Sequence, residues 1–221
     1  MRKYLYLAMA ATSAAVLAAP IVADAAPAAP SHVLTIKKVH GTAVKPKAAL
    51  KASLVKGTKA VFSLTGITIK CKQSSFTAVV VKNPTAPGKA TESITAETIG
   101  KCTLNIAGAK VNKVKALNLP YNSTVSDAKN FPVTVSGRKK SKPIELTATA
   151  SVGTMSLTCS YKAASIAAAA SNKGNTITIV KQKFKKAGGS NPACPSSATF
   201  SAKYGPVLDT SVTGKPAVFV N

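Results

Sequence analysis

The stretch Met155-Ser156-Leu157-Thr158-Cys159-Ser160-Tyr161-Lys162 alternates between apolar and polar residues without a break. Successive side chains of a β-strand point to opposite faces of a sheet, so this pattern predicts a half-buried strand with Cys159 on its inner face. Residues 67–71 and 102–106 alternate in the same way and carry Cys71 and Cys102 on the apolar side. Three of the four cysteines are therefore predicted to point inward from strands.

The same period of two recurs along the rest of the chain. It is present at residues 131–135, 144–150 and 200–204. Turn-forming residues separate the apolar segments at 56–57, 83–88, 137–142, 172–174, 188–195, 205–206 and 213–214. Many short strands at regular spacing predict an all-β fold, an antiparallel β-sandwich or barrel that is immunoglobulin-like in general architecture.

Two segments depart from simple alternation. Residues 163–170 are rich in alanine, the best helix former, but an isolated helix shorter than about 12 residues is marginal. Because a turn and a β-rich segment follow, we predict a strand of small residues that enters a hairpin. In residues 176–186, Ile177 and Ile179 fall on the lysine side, and a β-bulge would restore the register.

The cysteine count is even, which favours disulfides in an exported protein. Cys71, Cys102, Cys159 and Cys194 allow three connectivities, and spacings of 31 and 35 residues favour the local pairs Cys71–Cys102 and Cys159–Cys194. A four-cysteine zinc site needs closely spaced C-x-x-C pairs, and the sequence has none. We therefore predict two disulfides within the domain.

Residues 1–25 have the order of a secretory signal peptide. Arg2 and Lys3 precede an apolar run at residues 5–19, and Ala23-Asp24-Ala25 supplies a small-residue cleavage site. The run is shorter than the roughly 20 residues of a membrane-spanning helix. These features predict a protein that is secreted, with association to the cell envelope as an option.

The remaining chain divides by composition. Residues 26–47 are rich in Ala, Pro and Lys and are predicted to form an N-terminal tail, in which residues 33–39 could add a strand. Residues 48–221 are long enough for one β-sandwich domain with a substantial core. The two cysteine-bearing strands resemble each other, which leaves open two related halves at about 48–150 and 151–221.

The charge of the protein is strongly positive. Of 221 residues, 30 are Lys or Arg and 6 are Asp or Glu, a formal net charge of +24. Almost all of the bases are lysines, which act as flexible point charges and suit diffuse attraction better than shaped recognition of one acidic ligand. The candidate polyanion-binding residues are Lys110, Lys113, Lys115, Lys139, Lys140, Lys142, Lys181, Lys183, Lys185 and Lys186.

The residues needed for catalysis are scarce. The two histidines, His32 and His40, lie in the predicted tail, and no G-x-S-x-G motif occurs. Glu92 and Glu97 are five residues apart, which places them on opposite faces of a regular strand. We predict no catalytic residues, no metal site and no cofactor, and hence a protein that is not an enzyme.

The C-terminal half carries a resemblance. The run Cys159-Ser160-Tyr161, the hairpin at residues 172–177, and Ala193-Cys194-Pro195 with the segment up to Tyr204 look like small secreted actinobacterial β-rich proteins of unknown function. Leu119-Pro120-Tyr121 is similar to a Leu-Pro-aromatic element of the same group. The resemblance covers roughly residues 60–221 and implies an exported β-rich protein without an assigned activity. The high lysine content departs from that group.

These observations predict a non-catalytic protein in the cell envelope or outside the cell. Its lysine-rich surface would bind an anionic cell-wall polymer, lipid headgroups of a membrane surface, or an acidic protein. Aromatic residues make up 5% of the chain, too few for stacking platforms, so no specific nucleic acid partner is predicted. The alternative is a small-ligand carrier with a cleft between β-sheets.

Overall fold

The computed structural model describes residues 31–221, so the signal peptide predicted at residues 1–25 lies outside the described residues. In the described range no helix has the length and apolar composition needed to cross a membrane. The regular structure of this range is sixteen β-strands. Their bounds are β1 Leu34–Ile36, β2 Thr42–Ala43, β3 Ala49–Ser53, β4 Ala60–Leu64, β5 Ile67–Lys82, β6 Lys89–Leu104, β7 Ala109–Leu117, β8 Tyr121–Ser126, β9 Pro132–Ser136, β10 Ile144–Val152, β11 Met155–Ala163, β12 Ser165–Ser171, β13 Thr176–Lys186, β14 Ser197–Tyr204, β15 Leu208–Asp209 and β16 Val218–Val220.

Eight of these strands close into a barrel. They pair in the order β12-β9-β8-β6-β5-β4-β14-β13, and β12 also pairs with β13 to complete the ring. The paired strands are antiparallel throughout. Closure removes free strand edges, which would otherwise pair with other chains. The predicted all-β antiparallel fold is confirmed as a barrel, and its immunoglobulin-like character stays a prediction.

A three-stranded side wall extends from the barrel. It consists of β11, β10 and β7, and it continues the sheet beyond β13 in that order. Strands β5 and β6 are each sixteen residues long, the longest strands of residues 31–221. The end of this pair that carries Ile67, Ile69 and Leu104 lies with β4 and β14 opposite the side wall, and apolar residues from both layers line a common cavity.

The segment predicted as a tail belongs to the fold from residue 33. Strand β1 pairs with β16 and β2 in a small separate sheet, and Val33, Leu34 and Val44 are buried. The Asn83 side chain accepts from the Leu34 N–H and donates to the Leu34 carbonyl, both at 2.8 Å. The strand that the sequence left open within residues 33–39 forms as β1, and these residues pack with the domain predicted at 48–221.

Strands from the two related halves that the sequence left open alternate within one sheet. Strand β14 lies between β4 and β13, so the C-terminal segment pairs directly with a strand from the beginning of the domain. The halves at 48–150 and 151–221 therefore share one barrel.

Several local predictions are confirmed. The disulfides are Cys71–Cys102, between directly paired residues of β5 and β6, and Cys159–Cys194, which ties β11 to the loop before β14. The alanine-rich segment forms β12, since it pairs on both sides with β9 and β13. The bulge predicted in β13 lies between Ile179 and Gln182.

Candidate functional site

An apolar cavity of about 490 Å³ lies between the side wall and the ends of β4, β5, β6 and β14. We call it the apolar cavity. It forms because the inward parity of each strand is apolar: Leu146 and Ala148 from β10 face Phe62 and Ile69 from the opposite layer. The buried floor of the cavity is formed by Phe62, Ile69, Val114, Leu146, Tyr161, Phe184 and Ala198.

The cavity opens to solvent at one end, between four chain connections. These are the β4–β5 turn at 65–66, the β6–β7 turn at 105–108, the β10–β11 turn at 153–154 and the loop at 187–196, which we together call the rim. Each connection carries or adjoins residues that line the cavity. The exposed large apolar residues Ile106, Val152 and Met155 are at this rim. The opening is therefore apolar as well as the interior.

A second, smaller cavity of about 70 Å³ lies inside the barrel. Leu146 lines both cavities, and the Phe62 and Phe200 rings, with centroids 4.6 Å apart, lie between them. The barrel cavity is lined by Glu92, Glu97, Tyr121 and Tyr204 among apolar residues. Its volume exceeds the roughly 10–15 Å³ of accessible cavity space that one water molecule requires.

The structure corrects the prediction that Glu92 and Glu97 point to opposite faces. Residue Thr77 of β5 pairs with Ala96, whereas Ala78 pairs with Ile94, so Thr95 is an extra residue in β6. This β-bulge changes the parity between the two glutamates and turns both toward the barrel cavity. The five-residue spacing was interpreted for a regular strand, and the bulge makes that interpretation wrong.

Burial changes the acidity of both carboxyl groups. Desolvation raises the pKa of Glu92 to about 7, although the hydrogen bond with the Ser123 side chain opposes the shift. Desolvation also raises the pKa of Glu97 to about 7. Near neutral pH both groups are therefore partly protonated.

The two tyrosines of the barrel cavity are held by hydrogen bonds. The Tyr204 hydroxyl lies 2.8 Å from the Ser74 hydroxyl, and the Tyr121 hydroxyl donates to the Glu145 carbonyl at 3.2 Å. Burial raises the pKa of Tyr121 to about 12 and also raises the pKa of Tyr204, with the Glu97 carboxylate adding to both shifts. Both hydroxyls therefore stay protonated in the physiological range.

The structure brings five of the predicted lysines onto one surface. Residues paired across an antiparallel sheet share a face, and the register places Lys110, Lys113 and Lys115 of β7 on the outer face of the side wall. Lys185 pairs with Lys162 on the same face. We define the lysine face as Lys110, Lys113, Lys115, Lys162, Lys183 and Lys185, all of which are exposed. Lys162 was missed, although its alternation with Tyr161 marked it as outward.

The other predicted lysines lie elsewhere. Lys139, Lys140 and Lys142 are exposed in the β9–β10 connection, and Lys181 is exposed at the bulge of β13. The Lys186 ammonium donates to the Cys194 carbonyl at 3.0 Å, so this half-buried residue fastens the rim loop.

The predicted tail histidines do not gather other ligands. Within residues 31–221, no group of three or more His, Cys, Asp or Glu side chains could hold a metal ion. His32 forms an isolated bridge with Thr85, and the His40 backbone N–H donates to the Asn221 side chain.

No family model, curated protein or solved structure matches the chain. The function is therefore inferred from the two cavities and from the charges around them.

Sequence reasoning predicted the inward parity of the cavity residues, and it named a cleft between β-sheets as an alternative without saying which residues line it. Leu146, Ala148 and Ala150 were identified as apolar positions of one strand face. A core would bury the same residues, so alternation alone does not distinguish a filled interior from a hollow one. The small residues Ala148, Ala150, Ala193 and Ala198 around the cavity are the signal that could have suggested unfilled space.

Proposed function

We propose that this protein is an exported, non-catalytic carrier that holds a small apolar molecule in the apolar cavity. The observation that carries the proposal is a solvent-open cavity of about 490 Å³ with an apolar floor. Ligand pockets are typically about 300–1,000 Å³ and are lined mainly by apolar side chains. The sequence left a small-ligand carrier with a cleft between β-sheets as the alternative, and the cavity makes this the better supported function.

The lining limits the chemistry of the ligand. Within the described residues, no charged side chain lines the apolar cavity, and its polar members are Thr147, Ser156, Asn191 and the Tyr161 hydroxyl. The Tyr161 hydroxyl already donates to the Pro195 carbonyl at 3.1 Å. A ligand would be held by apolar contact, so a neutral molecule or an apolar chain fits better than an ionised one.

The disulfides agree with such a role outside the cell. Cross-links of this kind persist in oxidising compartments such as the extracellular space. The Cys159–Cys194 disulfide joins a wall strand to the rim loop, and Cys159 itself lines the cavity. It therefore limits how far the opening can spread.

The test is to fill the cavity from the side wall. Ala148 faces the cavity at mid-strand, and Ala148→Phe would occupy part of the ligand volume. We expect this substitution to weaken binding of the neutral fluorescent probe N-phenyl-1-naphthylamine by about tenfold or more, or about 1.4 kcal/mol. A neutral probe is chosen because lysines would attract an anionic dye. Thr149→Phe places the same aromatic side chain on the outer face of the same strand and should leave the affinity unchanged.

Two results would contradict the carrier function. One is no saturable probe binding by the wild-type protein, and the other is equal loss of affinity in the Ala148 and Thr149 variants. Native mass spectrometry of the exported protein should in addition detect a copurified apolar ligand, which Ala148→Phe displaces.

A second candidate function is electrostatic attachment to an anionic polymer. The observation that favours it is the lysine face, where Lys162 and Lys185 are directly opposite each other. Glu145 of β10 pairs with Lys162 from the other side and offsets part of the repulsion between these like charges. The excess of lysines on the face would still attract a polyanion. Attachment to a polymer and binding of an apolar ligand would use opposite sides of the side wall, so one molecule can do both.

A further inference from the structure

The rim differs from the rest of the surface in charge. Its connections are Thr65-Gly66, Asn105-Ile106-Ala107-Gly108, Gly153-Thr154 and residues 187–196, and none of them contains an acidic or basic residue. The protein around them has a net charge of +24. An uncharged ring surrounds the opening of the apolar cavity.

The rim also exposes apolar side chains to water. Met155 is 72% exposed, Val152 41% and Ile106 37%, and all three line the cavity opening. Met155 is the most exposed large apolar residue of the described chain. Apolar residues clustered on a surface mark a contact with an apolar partner.

Exposed lysines stand directly behind this rim. Lys70 follows the first residue of β5 by three positions, Lys101 precedes the last residue of β6 by three, and Lys110 is the second residue of β7. A strand rises about 3.3 Å per residue, so the backbone positions of these lysines are within about 10 Å of the rim connections.

We infer that the rim docks on an anionic lipid bilayer, with its uncharged tips in the headgroup layer and the lysines behind them against lipid phosphates. Interfacial apolar groups are buried about 5–10 Å into the boundary between headgroups and acyl chains, which matches the setback of the lysines. Lysine stems extend toward the phosphates and keep their charges in the polar layer. The cavity then opens into the bilayer, and an apolar ligand passes between them without crossing water.

The composition of the rim favours a bilayer over a protein partner. Protein interfaces are anchored by Trp, Tyr and Arg, and the rim connections contain none of them. A lipid surface requires only exposed apolar area together with positive charge. The ligand-transfer part of this inference rests on the proposed carrier function, whereas the docking part stands without it.

The absence of tryptophan from the chain allows a direct test. We would compare Met155→Trp at the rim with Val180→Trp, a matched control at a 61% exposed apolar residue of β13 that does not line the apolar cavity. The probes are vesicles of phosphatidylcholine with about 30% phosphatidylglycerol, and vesicles of phosphatidylcholine alone. With the anionic vesicles, the tryptophan emission of the Met155→Trp variant should shift to the blue and become protected from an aqueous quencher. The control should show neither change.

A charge substitution tests the same docking without an added aromatic ring. Met155→Glu and Val180→Glu lower the net charge equally, so they separate insertion from general attraction. In vesicle sedimentation we expect Met155→Glu to weaken binding to anionic vesicles by about tenfold and Val180→Glu by less than about twofold. Circular dichroism checks that both variants fold.

The outcomes distinguish the two proposals. Failure of the wild-type protein to bind anionic vesicles in about 0.1 M salt, or equal effects at positions 155 and 180, would overturn the docking. If the wild-type protein binds anionic vesicles but does not bind N-phenyl-1-naphthylamine, the carrier function would be overturned and the docking would stand. Equal binding to neutral vesicles would overturn the role of the lysines.

Discussion

At the scale of single residues, Glu92 and Glu97 link the interior of the barrel to solution pH. Ordinary glutamates have a pKa of 4.5, whereas burial raises the pKa of both to about 7. Between these values the unfolded chain releases its protons while the folded protein keeps them. The free energy of unfolding therefore falls as the pH rises from about 4.5 to about 7, and the stability from these groups is complete below that range.

The substitution Glu92→Gln should remove part of this pH dependence. Glutamine resembles the protonated acid and keeps a partner for Ser123, so the variant should match the wild type near pH 4. Near pH 8 the variant should be more stable, on the order of 2 kcal/mol, because no buried charge has to form. Urea unfolding at several pH values measures the difference.

The double variant Glu92→Gln/Glu97→Gln provides the companion measurement. Its unfolding free energy should vary less between pH 4 and pH 8 than that of either single variant. An unchanged pH dependence in the double variant would show that these two carboxyls are not the groups responsible.

At the scale of elements, β6 shows how one extra residue changes a strand. Before Thr95 the inward residues are Ala90, Glu92 and Ile94, and after it they are Glu97 and Ile99. Without the bulge, either the first or the second group would face away from the barrel interior, since the side-chain period is two. The bulge thus determines the contents of the barrel cavity.

Deletion of Thr95 should therefore be far more harmful than its substitution. The deletion moves buried apolar side chains to the outer face and should cost more than about 3 kcal/mol, enough to lower the yield of folded protein sharply. Thr95→Ala removes only an exposed, long hydrogen bond of 3.4 Å to the Thr77 carbonyl and should cost less than about 1 kcal/mol. Equal stability of the two variants in thermal unfolding would contradict the role of the bulge.

At the scale of the whole molecule, charge and apolar surface are segregated. The lysine face covers the outside of the side wall, and the inside of the same wall lines the apolar cavity. Strand alternation produces this two-sidedness, because neighbouring residues of β10 and β11 serve opposite faces. The carrier proposed above would in this way attach to an anionic surface without placing charge beside its ligand.

Attachment through the lysine face should be sensitive to salt. We expect retention on immobilised polyphosphate in about 0.1 M NaCl and release well below about 1 M, where the Debye length falls to about 3 Å. Substitution of Lys110, Lys113 and Lys115 by Gln should lower the eluting salt concentration. A matched control replaces Lys37, Lys38 and Lys173, which are exposed outside this face. Retention above about 1 M, or the same change in both triple variants, would contradict a specific lysine face.

Much of the fold could be predicted because its signals are local. The alternation at 155–162 requires no knowledge of distant strands, and β11 forms there. The spacing of the cysteines favours the short loops that the two disulfides close. The break in the apolar–polar alternation of β13 predicted a bulge for the same reason, because the break lies within one segment of the chain.

The candidate site depends on contacts between residues far apart in the chain. The floor of the apolar cavity combines Phe62, Leu146 and Phe184, and its hollow exists because the strands that carry them do not pack fully together. The bulge at Thr95 is defined by the pairing of β6 with Thr77 and Ala78 of β5. The mixed Thr, Ser and Glu composition of β6 gives no sign of this pairing. Residue order thus specifies which side of each strand avoids water. Whether the sides that meet leave a space, and which acids enter it, follows from long-range strand pairing, because packing volume is a property of the assembled layers.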